Sequence, residues 1–182
     1  MALREVLQFP DPRLKRRSEP VPEVTHAIRA LAQDMLDVMY DEPGIGLAAP
    51  QVGEAIRLVV MDTEWTEEGV ERDPRVIVNP QILEREDRIT WTEGCLSVPD
   101  FTADVERAAR VVVRYTDLEG REVVEDVRDL RAVCFQHEID HLDGILFIDR
   151  ISRLKRSLYV KRRRKAMRTE ESEPPSRTGT TL

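Results

Sequence analysis

Two histidines four residues apart flank a glutamate in the stretch 137–141, which has the sequence His-Glu-Ile-Asp-His. On an α-helix, residues at this spacing lie on one face, so His137 and His141 can bind one metal ion while Glu138 lies beside it as a base. Both histidines fall on the apolar side of the predicted helix, where a shared metal removes the cost of burying them. The motif favours a metal site, and the alternative is a pair of ordinary helix histidines.

A catalytic metal usually takes three protein ligands and one water, so a third side chain must come from elsewhere. Position 147, where one class of zinc peptidases has a third histidine, is Phe147, and His26 is expected at the surface of the first helix. Cys134 precedes His137 by one turn, and three side chains from one straight helix would not converge on a metal. A downstream acidic ligand is hard to supply, because Asp149 and Glu170 are poorly placed. Cys95 is left as the third ligand, although a single cysteine alone is more often a small buried hydrophobe.

A third unusual stretch, residues 44–51, has the sequence Gly-Ile-Gly-Leu-Ala-Ala-Pro-Gln. Its two glycines allow the backbone to approach a ligand closely or to adopt a positive φ. The stretch lacks the Gly-Lys-Ser/Thr ending of a phosphate-binding loop. By itself it predicts either a ligand-binding segment or a tight connection after the first helix.

The elements that must position these stretches follow from the periodicity of the sequence. Apolar residues recur every three or four positions between Pro22 and Tyr40 and predict an amphipathic helix. Short β-rich runs predict strands at 56–61, 76–79, 89–91, 110–116 and 121–127, the last two forming a hairpin. A second helix is predicted from Asp129, a good N-cap residue, to Gly144, and a third from about Ser152.

Helix, several strands and helix, without regular βαβ alternation, predict an α+β fold. We expect one domain over residues 1–158, followed by the basic end of the third helix and a tail over residues 159–182. Beyond Thr169 the chain has nothing to bury and is expected to be disordered.

The 182 residues are 41 % hydrophobic and 35 % charged, which suffices for a core. No uninterrupted apolar stretch approaches the roughly 20 residues that a membrane-spanning helix requires, so we expect none. The N-terminus has no apolar signal region, and two cysteines cannot form a disulfide scaffold, so we expect a reduced, cytoplasmic protein. The net charge of −7 is uneven. Ten Lys or Arg residues and no acid lie between Arg150 and Arg168, which leaves 18 basic against 35 acidic residues elsewhere.

The stretches 44–51, 93–97 and 136–141, in this order, resemble the three signature motifs of the peptide deformylase family at every fixed position. The segment 6–14 and the Asn79-Pro80 step are similar to that family as well. The resemblance covers roughly residues 3–158. It implies a compact α+β unit in which antiparallel β-sheets surround the central helix that carries the two histidines.

Members of this family remove the formyl group from the N-terminal formylmethionine of newly made polypeptides and release formate. The resemblance implies that Cys95, His137 and His141 hold the metal, which activates a water molecule. It further implies that Glu138 accepts the proton of that water and later delivers it to the departing amine.

The contacts to the substrate follow from the same resemblance. The side-chain amide of Gln51 and the backbone N–H of Leu96 would stabilise the oxyanion, and the backbone of Ile45 and Gly46 would pair with the peptide as an added strand. Candidates for the apolar pocket of the methionine side chain are Ile45, Leu96, Val133 and Cys134. The family often has a basic residue near position 102, where this chain has Thr102, so contacts beyond the methionine are not implied.

The ligand set of one cysteine, two histidines and a water suits zinc, whereas the resemblance implies Fe²⁺ as the native metal, one per chain. Zn²⁺, Ni²⁺ or Co²⁺ can replace it, because the same ligands accept them. We expect the chain to act as a monomer on N-formylmethionyl nascent peptides, without a membrane partner.

The run Lys161–Lys165 is the densest part of the basic segment. It predicts either a solvated helix face or attachment to an anionic polymer, for which ribosomal RNA is the sensible candidate in an enzyme that acts on nascent chains.

Two other functions fit part of the pattern. A metallopeptidase with the same helix motif would take Glu or His as its third ligand, and the sequence offers Cys95 instead. A non-catalytic RNA-binding module gives no reason for three intact motifs. The sequence therefore predicts a metal-dependent hydrolase of the peptide deformylase type, which acts in the N-terminal processing step of protein biosynthesis.

Overall fold

Helix α1 spans His26–Asp41 in the computed structural model, which describes residues 4–65 and 70–172. Thr25 is its N-cap, and the Thr25 hydroxyl accepts a hydrogen bond from the backbone N–H of Ile28 at 3.4 Å. Leu31 and Met35 are buried because they share the apolar face of the helix. The predicted helix is confirmed, with a start four residues later than the periodicity indicates.

Seven strands form two antiparallel sheets in the described part of the chain. In chain order the strands are β1 (Gly46–Ala48), β2 (Leu58–Met61), β3 (Arg75–Glu86), β4 (Ile89–Cys95), β5 (Val98–Arg107), β6 (Arg110–Thr116) and β7 (Glu122–Arg128). The first sheet has the order β1-β2-β3-β6-β7, and the second is the pair β4-β5. Strand β1 is thus an edge strand, and among the described residues its only sheet partner is β2.

Every predicted strand is present, and β3 and β4 extend well beyond the predicted bounds. Strands β1 and β5 are not indicated by the periodicity of the sequence. β1 has only three residues, and β5 contains Pro99 and mixes acidic with apolar side chains. Pairing with β4 makes β5 a strand: Trp91 is the register partner of Val105, and Cys95 is that of Val98.

Helix α2 (Asp129–Leu142) carries the two motif histidines and is enclosed by strands. It contacts β1, β2, β6 and β7. Ala132, Phe135 and Leu142 are fully buried and belong to one hydrophobic cluster with residues of these strands. The predicted α+β fold, with antiparallel sheets around the motif helix, is confirmed.

The start of α2 differs from the prediction at Asp129, which is not the N-cap. Arg128 occupies the N-cap position, and Asp129 is the first helical residue, with a φ of 50°. The backbone N–H of Asp129 donates to the carbonyl of Ala109 at 2.9 Å. Ala109 lies in the connection between β5 and β6, so a contact from outside the helix fixes the conformation of Asp129. The helix ends before Gly144, which has a φ of 73°, as the glycine predicts.

The contact pattern divides the chain into two units, residues 1–150 and residues 151–182. The second unit contains helix α3 (Arg153–Ser172), which confirms the third predicted helix. The prediction of disorder beyond Thr169 is wrong for residues 170–172, which are helical. Extending an existing helix is favourable, because each further residue adds one hydrogen bond at little entropy cost. Residues 173–182, which the same prediction covers, lie outside the described ranges. Within those ranges, no helix is both long and apolar enough to cross a bilayer.

Candidate active site

The structure brings Cys95, His137 and His141 together. Cys95 is the last residue of β4, and the two histidines lie one turn apart on α2. The Sγ of Cys95 lies 3.2 Å from Nε2 of His141, which lies 3.3 Å from Nε2 of His137, and all three donor atoms are within 4.8 Å of one another. Ligand atoms around a tetrahedral ion, at bonds of about 2.0–2.3 Å, are separated by roughly 3.3–3.6 Å. The donor set therefore fits one metal ion.

Glu93 fixes the orientation of the His137 ring. Nδ1 of His137 lies 2.8 Å from Oε2 of Glu93, which leaves Nε2 as the nitrogen available to a metal. Burial alone would raise the pKa of Glu93, but hydrogen bonds from Arg107 and His137 outweigh it and hold the pKa at about 2. Glu93 is therefore a carboxylate that supports the metal ligand.

Arg107 supports this pair from the other side, and no motif in the sequence points to it. Its guanidinium donates to both carboxylate oxygens of Glu93, at 2.6 and 2.9 Å, and to Asp140 at 2.6 Å. Arg150 donates to Asp140 as well, so the motif aspartate is part of a structural ion-pair network. The only signal in the sequence is alternation, because position 107 follows the inward-facing positions 103 and 105 of β5.

Glu138 lies beside the metal donors and is almost completely buried. Burial raises the pKa of Glu138 to about 7, and its Oε2 makes no hydrogen bond to any residue in the described ranges. A carboxyl group with this pKa can both accept and return a proton near neutral pH. A Cβ on Gly46 would lie 2.6 Å from Oε1 of Glu138 and 2.9 Å from Sγ of Cys134, so a glycine is required for β1 to approach α2 this closely.

Gln51 lies on a short 3-10 helix, Ala49–Val52, and is 2 % exposed. Its Oε1 accepts a hydrogen bond from the backbone N–H of Ala48 at 2.8 Å, which fixes the amide orientation. Nε2 then points to Oγ of Ser97 at 3.2 Å and to Sγ of Cys95 at 3.7 Å. Leu96 follows Cys95 in the turn between β4 and β5, so the structure places both predicted oxyanion donors next to the metal donors.

A cavity of about 740 Å³ opens beside these groups. Its lining includes Ile45, Gly46, Gln51, Cys95, Leu96, Val133, Cys134, His137 and Glu138. Buried His141 lies behind this surface. Burial raises the pKa of Cys134 well above its ordinary value, so its thiol stays protonated as a wall of the cavity. Thr102 lines the same cavity, together with Asp100 and Phe101.

Antiparallel sheets around a helix, with a Cys-His-His donor set and a buried glutamate, define a metal-dependent hydrolase. The family model described as polypeptide deformylase matches residues 3–157, and the chain belongs to that family. Its activity is the hydrolytic removal of the N-formyl group from newly made polypeptides, which confirms the predicted enzyme class. Members of this family depend on a metal, in agreement with the Cys95, His137 and His141 cluster.

Similar proteins cover nearly the same length. The chain is 52 % identical over 167 residues to a peptide deformylase of Rhodopseudomonas palustris, a match that covers 91 % of this chain and 95 % of the relative. It is 55 % identical over 168 residues to a peptide deformylase of Hyphomonas neptunium, covering 91 % and 94 % of the two chains. The crystal structure of a Legionella pneumophila peptide deformylase superimposes with a TM-score of 0.85 at 39 % identity, over 95 % of this chain and all of the other. A peptide deformylase from Ehrlichia chaffeensis in complex with actinonin also gives a TM-score of 0.85, at 37 % identity over 91 % and 98 % of the two chains.

Proposed function

We propose that the chain removes the formyl group with one metal ion held by Cys95, His137 and His141, and with Glu138 as the proton carrier. The observation that supports this most directly is the convergence of three donor atoms beside a buried carboxyl group. A divalent ion at this position supplies Lewis acidity, which polarises the formyl carbonyl and makes water more acidic.

Glu138 moves one proton in each turnover. Its Oε2 accepts a proton from the attacking water, whose oxygen forms a bond to the formyl carbon. The same proton then passes to the methionine nitrogen as the carbon–nitrogen bond breaks. The products are formate and a peptide with a free amino terminus. A pKa near 7 suits both transfers, because neither protonation state is strongly favoured.

Gln51 and Leu96 stabilise the negative charge that develops on the formyl oxygen. The amide of Gln51 is held in place by Ala48 before substrate binds, so its N–H groups need no reorganisation during the reaction. Leu96 lies in the short turn between β4 and β5, where Cys95 is the register partner of Val98, so this hairpin holds its backbone beside Cys95. Loss of one such donor typically costs about 3–4 kcal/mol of transition-state stabilisation.

The substrate peptide pairs with the open edge of β1. The carbonyl of Ile45 already accepts a hydrogen bond from the backbone N–H of Asp62 at 2.9 Å. Because successive residues of a strand point to opposite sides, the N–H and C=O of Gly46 then face away from β2 and toward the cavity. Gly46 thus offers the backbone contacts of an added strand. The apolar walls for the methionine side chain are Ile45, Leu96, Val133 and Cys134.

We further propose Fe²⁺ as the native metal, one per chain, with Zn²⁺, Ni²⁺ or Co²⁺ as replacements that the same ligands accept. The enzyme acts in the cytoplasm, where its formylated substrates are made. We also propose that it acts as a monomer, since the donor set and the cavity are complete within one chain and need no residue from a second copy.

Iron-loaded protein prepared without oxygen is expected to release formate from formyl-Met-Ala-Ser and to leave acetyl-Met-Ala-Ser intact. The proposed reaction places the acyl carbon between Gln51 and Glu138, which are both buried, and we expect the methyl group of an acetyl substrate to crowd these side chains. Formate is measured by a coupled dehydrogenase assay, with the iron content determined on the same sample. Cleavage of internal peptide bonds, or no formate from protein with one iron per chain, would contradict the proposal.

We propose that the basic helix α3 attaches the enzyme to ribosomal RNA. Nine Lys or Arg residues lie between Arg153 and Arg168, without an acid, and the run Lys161–Lys165 is helical. Contacts between such side chains and phosphates release counterions, so the binding weakens steeply with salt.

Deletion of residues 161–182 is expected to weaken co-sedimentation with ribosomes at low salt and to leave the turnover of formyl-Met-Ala-Ser unchanged. A full-length variant with glutamine at positions 161–165 is the matched control, because it removes the charge and keeps good helix formers in place. This variant should lose as much affinity for ribosomes as the deletion variant does. Unchanged ribosome affinity of both variants at low salt would refute the attachment.

A further inference from the structure

The backbone N–H and the backbone carbonyl of Gly44, a residue that lines the cavity, both form hydrogen bonds with neighbouring residues. The N–H of Gly44 donates to the carbonyl of Met39 at 2.8 Å, near the end of α1. The carbonyl of Gly44 accepts a hydrogen bond from Nε1–H of Trp65 at 2.9 Å. Gly44 lines the cavity and Trp65 does not. The indole can therefore affect the shape of the cavity only through its hydrogen bond to the Gly44 carbonyl.

Trp65 is held in place by Asp62, the first residue after β2. Asp62 is 3 % exposed. Its carboxylate accepts the backbone N–H groups of Glu64 and Trp65, each at 3.2 Å, and that of Asp73 at 3.0 Å. It also accepts the hydroxyl of Tyr40 at 2.8 Å. Four hydrogen bonds to one buried carboxylate hold Trp65 and its described neighbours Glu64 and Asp73 in place.

The indole of Trp65 also packs against a side chain of α1. The ring of Tyr40 meets Trp65 edge-on, with ring centroids 5.3 Å apart and an angle of 88° between the planes. The guanidinium of Arg72 lies 4.0 Å from the centre of the Tyr40 ring and 5.6 Å from that of Trp65. Such cation–π contacts favour one stacked arrangement, so the direction of the indole N–H is set before any substrate binds.

We propose that Trp65 is a positioning residue for substrate binding, which holds the segment 44–46 in the conformation that presents Gly46 to the peptide. The inference rests on the proposed addition of the substrate strand at Gly46. Trp65 and the backbone of Asp62 bind two consecutive carbonyls, those of Gly44 and Ile45. The N–H and C=O of Gly46 are therefore held toward the cavity. Substrate binding then does not have to pay the entropy cost of ordering strand β1.

The variant Trp65→Phe tests this role, because it removes the N–H donor and keeps an aromatic ring against Tyr40. We expect KM for formyl-Met-Ala-Ser to rise about five- to tenfold, the effect of one lost hydrogen bond, while kcat stays within about twofold. Formyl-methionine, which has no second peptide group to pair, should change by less than about twofold in kcat/KM. Arg72→Ala, which keeps the indole, should raise KM for the tripeptide by only about twofold.

Tyr115→Phe is the matched control, because it removes one side-chain hydrogen bond, to Glu125 at 2.7 Å, away from the cavity. It should lower the free energy of unfolding without changing KM. The dissociation constant of formyl-Met-Ala-Ser, measured by calorimetry on Glu138→Ala with and without Trp65→Phe, should rise by the same factor as KM. Equal KM changes in Trp65→Phe and Tyr115→Phe, or a loss in kcat alone, would overturn the role of Trp65. Absence of formate release by the wild-type chain would overturn the proposed function itself.

Discussion

Replacing Glu138 with glutamine is expected to lower kcat for formyl-Met-Ala-Ser by about 10²–10⁴-fold, the range that a positioned general acid–base supplies. Glutamine has nearly the shape of glutamate and preserves the close packing against Gly46, but it cannot accept a proton. KM should stay within about threefold, because the interaction that is lost acts in the transition state. The measurement is steady-state formate release, and Glu138→Ala should show a comparable loss.

The metal content of the Glu138→Gln protein should remain one ion per chain, because Glu138 is not among the three converging donors. Glu125→Gln removes the same charge from a glutamate that binds Tyr115 and Arg131 outside the cavity, so it should keep the wild-type kcat. If Glu138→Gln matched Glu125→Gln in turnover, Glu138 would not be the proton carrier.

The metal donors could be found from the sequence because each is an uncommon residue at a spacing that carries geometric information. The separation of His137 and His141 places them on one helix face, and the structure has their Nε2 atoms 3.3 Å apart. Cys95 is 42 residues before His137, and only the exclusion of other candidates and the family resemblance pointed to it. The structure places its sulfur 3.2 Å from His141.

The residues that support the donors could not be found in this way, because their contacts depend on register and loop conformation. Arg107 binds Glu93, 14 residues away, through the pairing of β4 with β5. Trp65 binds Gly44, 21 residues away, while the carboxylate of Asp62 holds the backbone of Trp65 in place. Neither residue belongs to a motif. From the sequence alone, an arginine or a tryptophan at those positions could equally well be a surface residue.

The same distinction explains which elements the sequence indicates. Helix α1 follows from its own apolar face, and the hairpin β6-β7 from its own alternation. Strand β1 has three residues and exists because β2 supplies its hydrogen bonds. The start of α2 at Asp129 depends on a carbonyl of Ala109, a contact made through the tertiary structure. Local patterns therefore predict the elements, and non-local hydrogen bonds decide their ends.

Replacing Arg107 with methionine is expected to lower the free energy of unfolding by about 3–5 kcal/mol, the typical effect of breaking a buried ion pair. The side chains of Arg107 and Glu93 are both 3 % exposed, so the carboxylate of Glu93 would be left buried with only His137 as partner. Asp140 would keep Arg150. Urea unfolding of metal-free protein measures the change, because bound metal would otherwise add its own contribution. Arg88→Met, which removes an exposed ion pair with Glu106, should have a far smaller effect.

The double variant Glu93→Gln/Arg107→Met separates the two consequences of the buried ion pair. It leaves no uncompensated carboxylate at position 93, so most of the stability lost in Arg107→Met should return. The metal affinity should remain about 10–100-fold below that of the wild type, because a neutral amide replaces the carboxylate that orients Nδ1 of His137. Chelator competition with Zn²⁺ measures this affinity. A double variant with wild-type metal affinity would mean that His137 is oriented by its place on α2 alone. The expected result means that the chain keeps a buried charge pair because the pair holds a metal ligand in position, since neutral side chains would restore most of the stability but not the metal affinity.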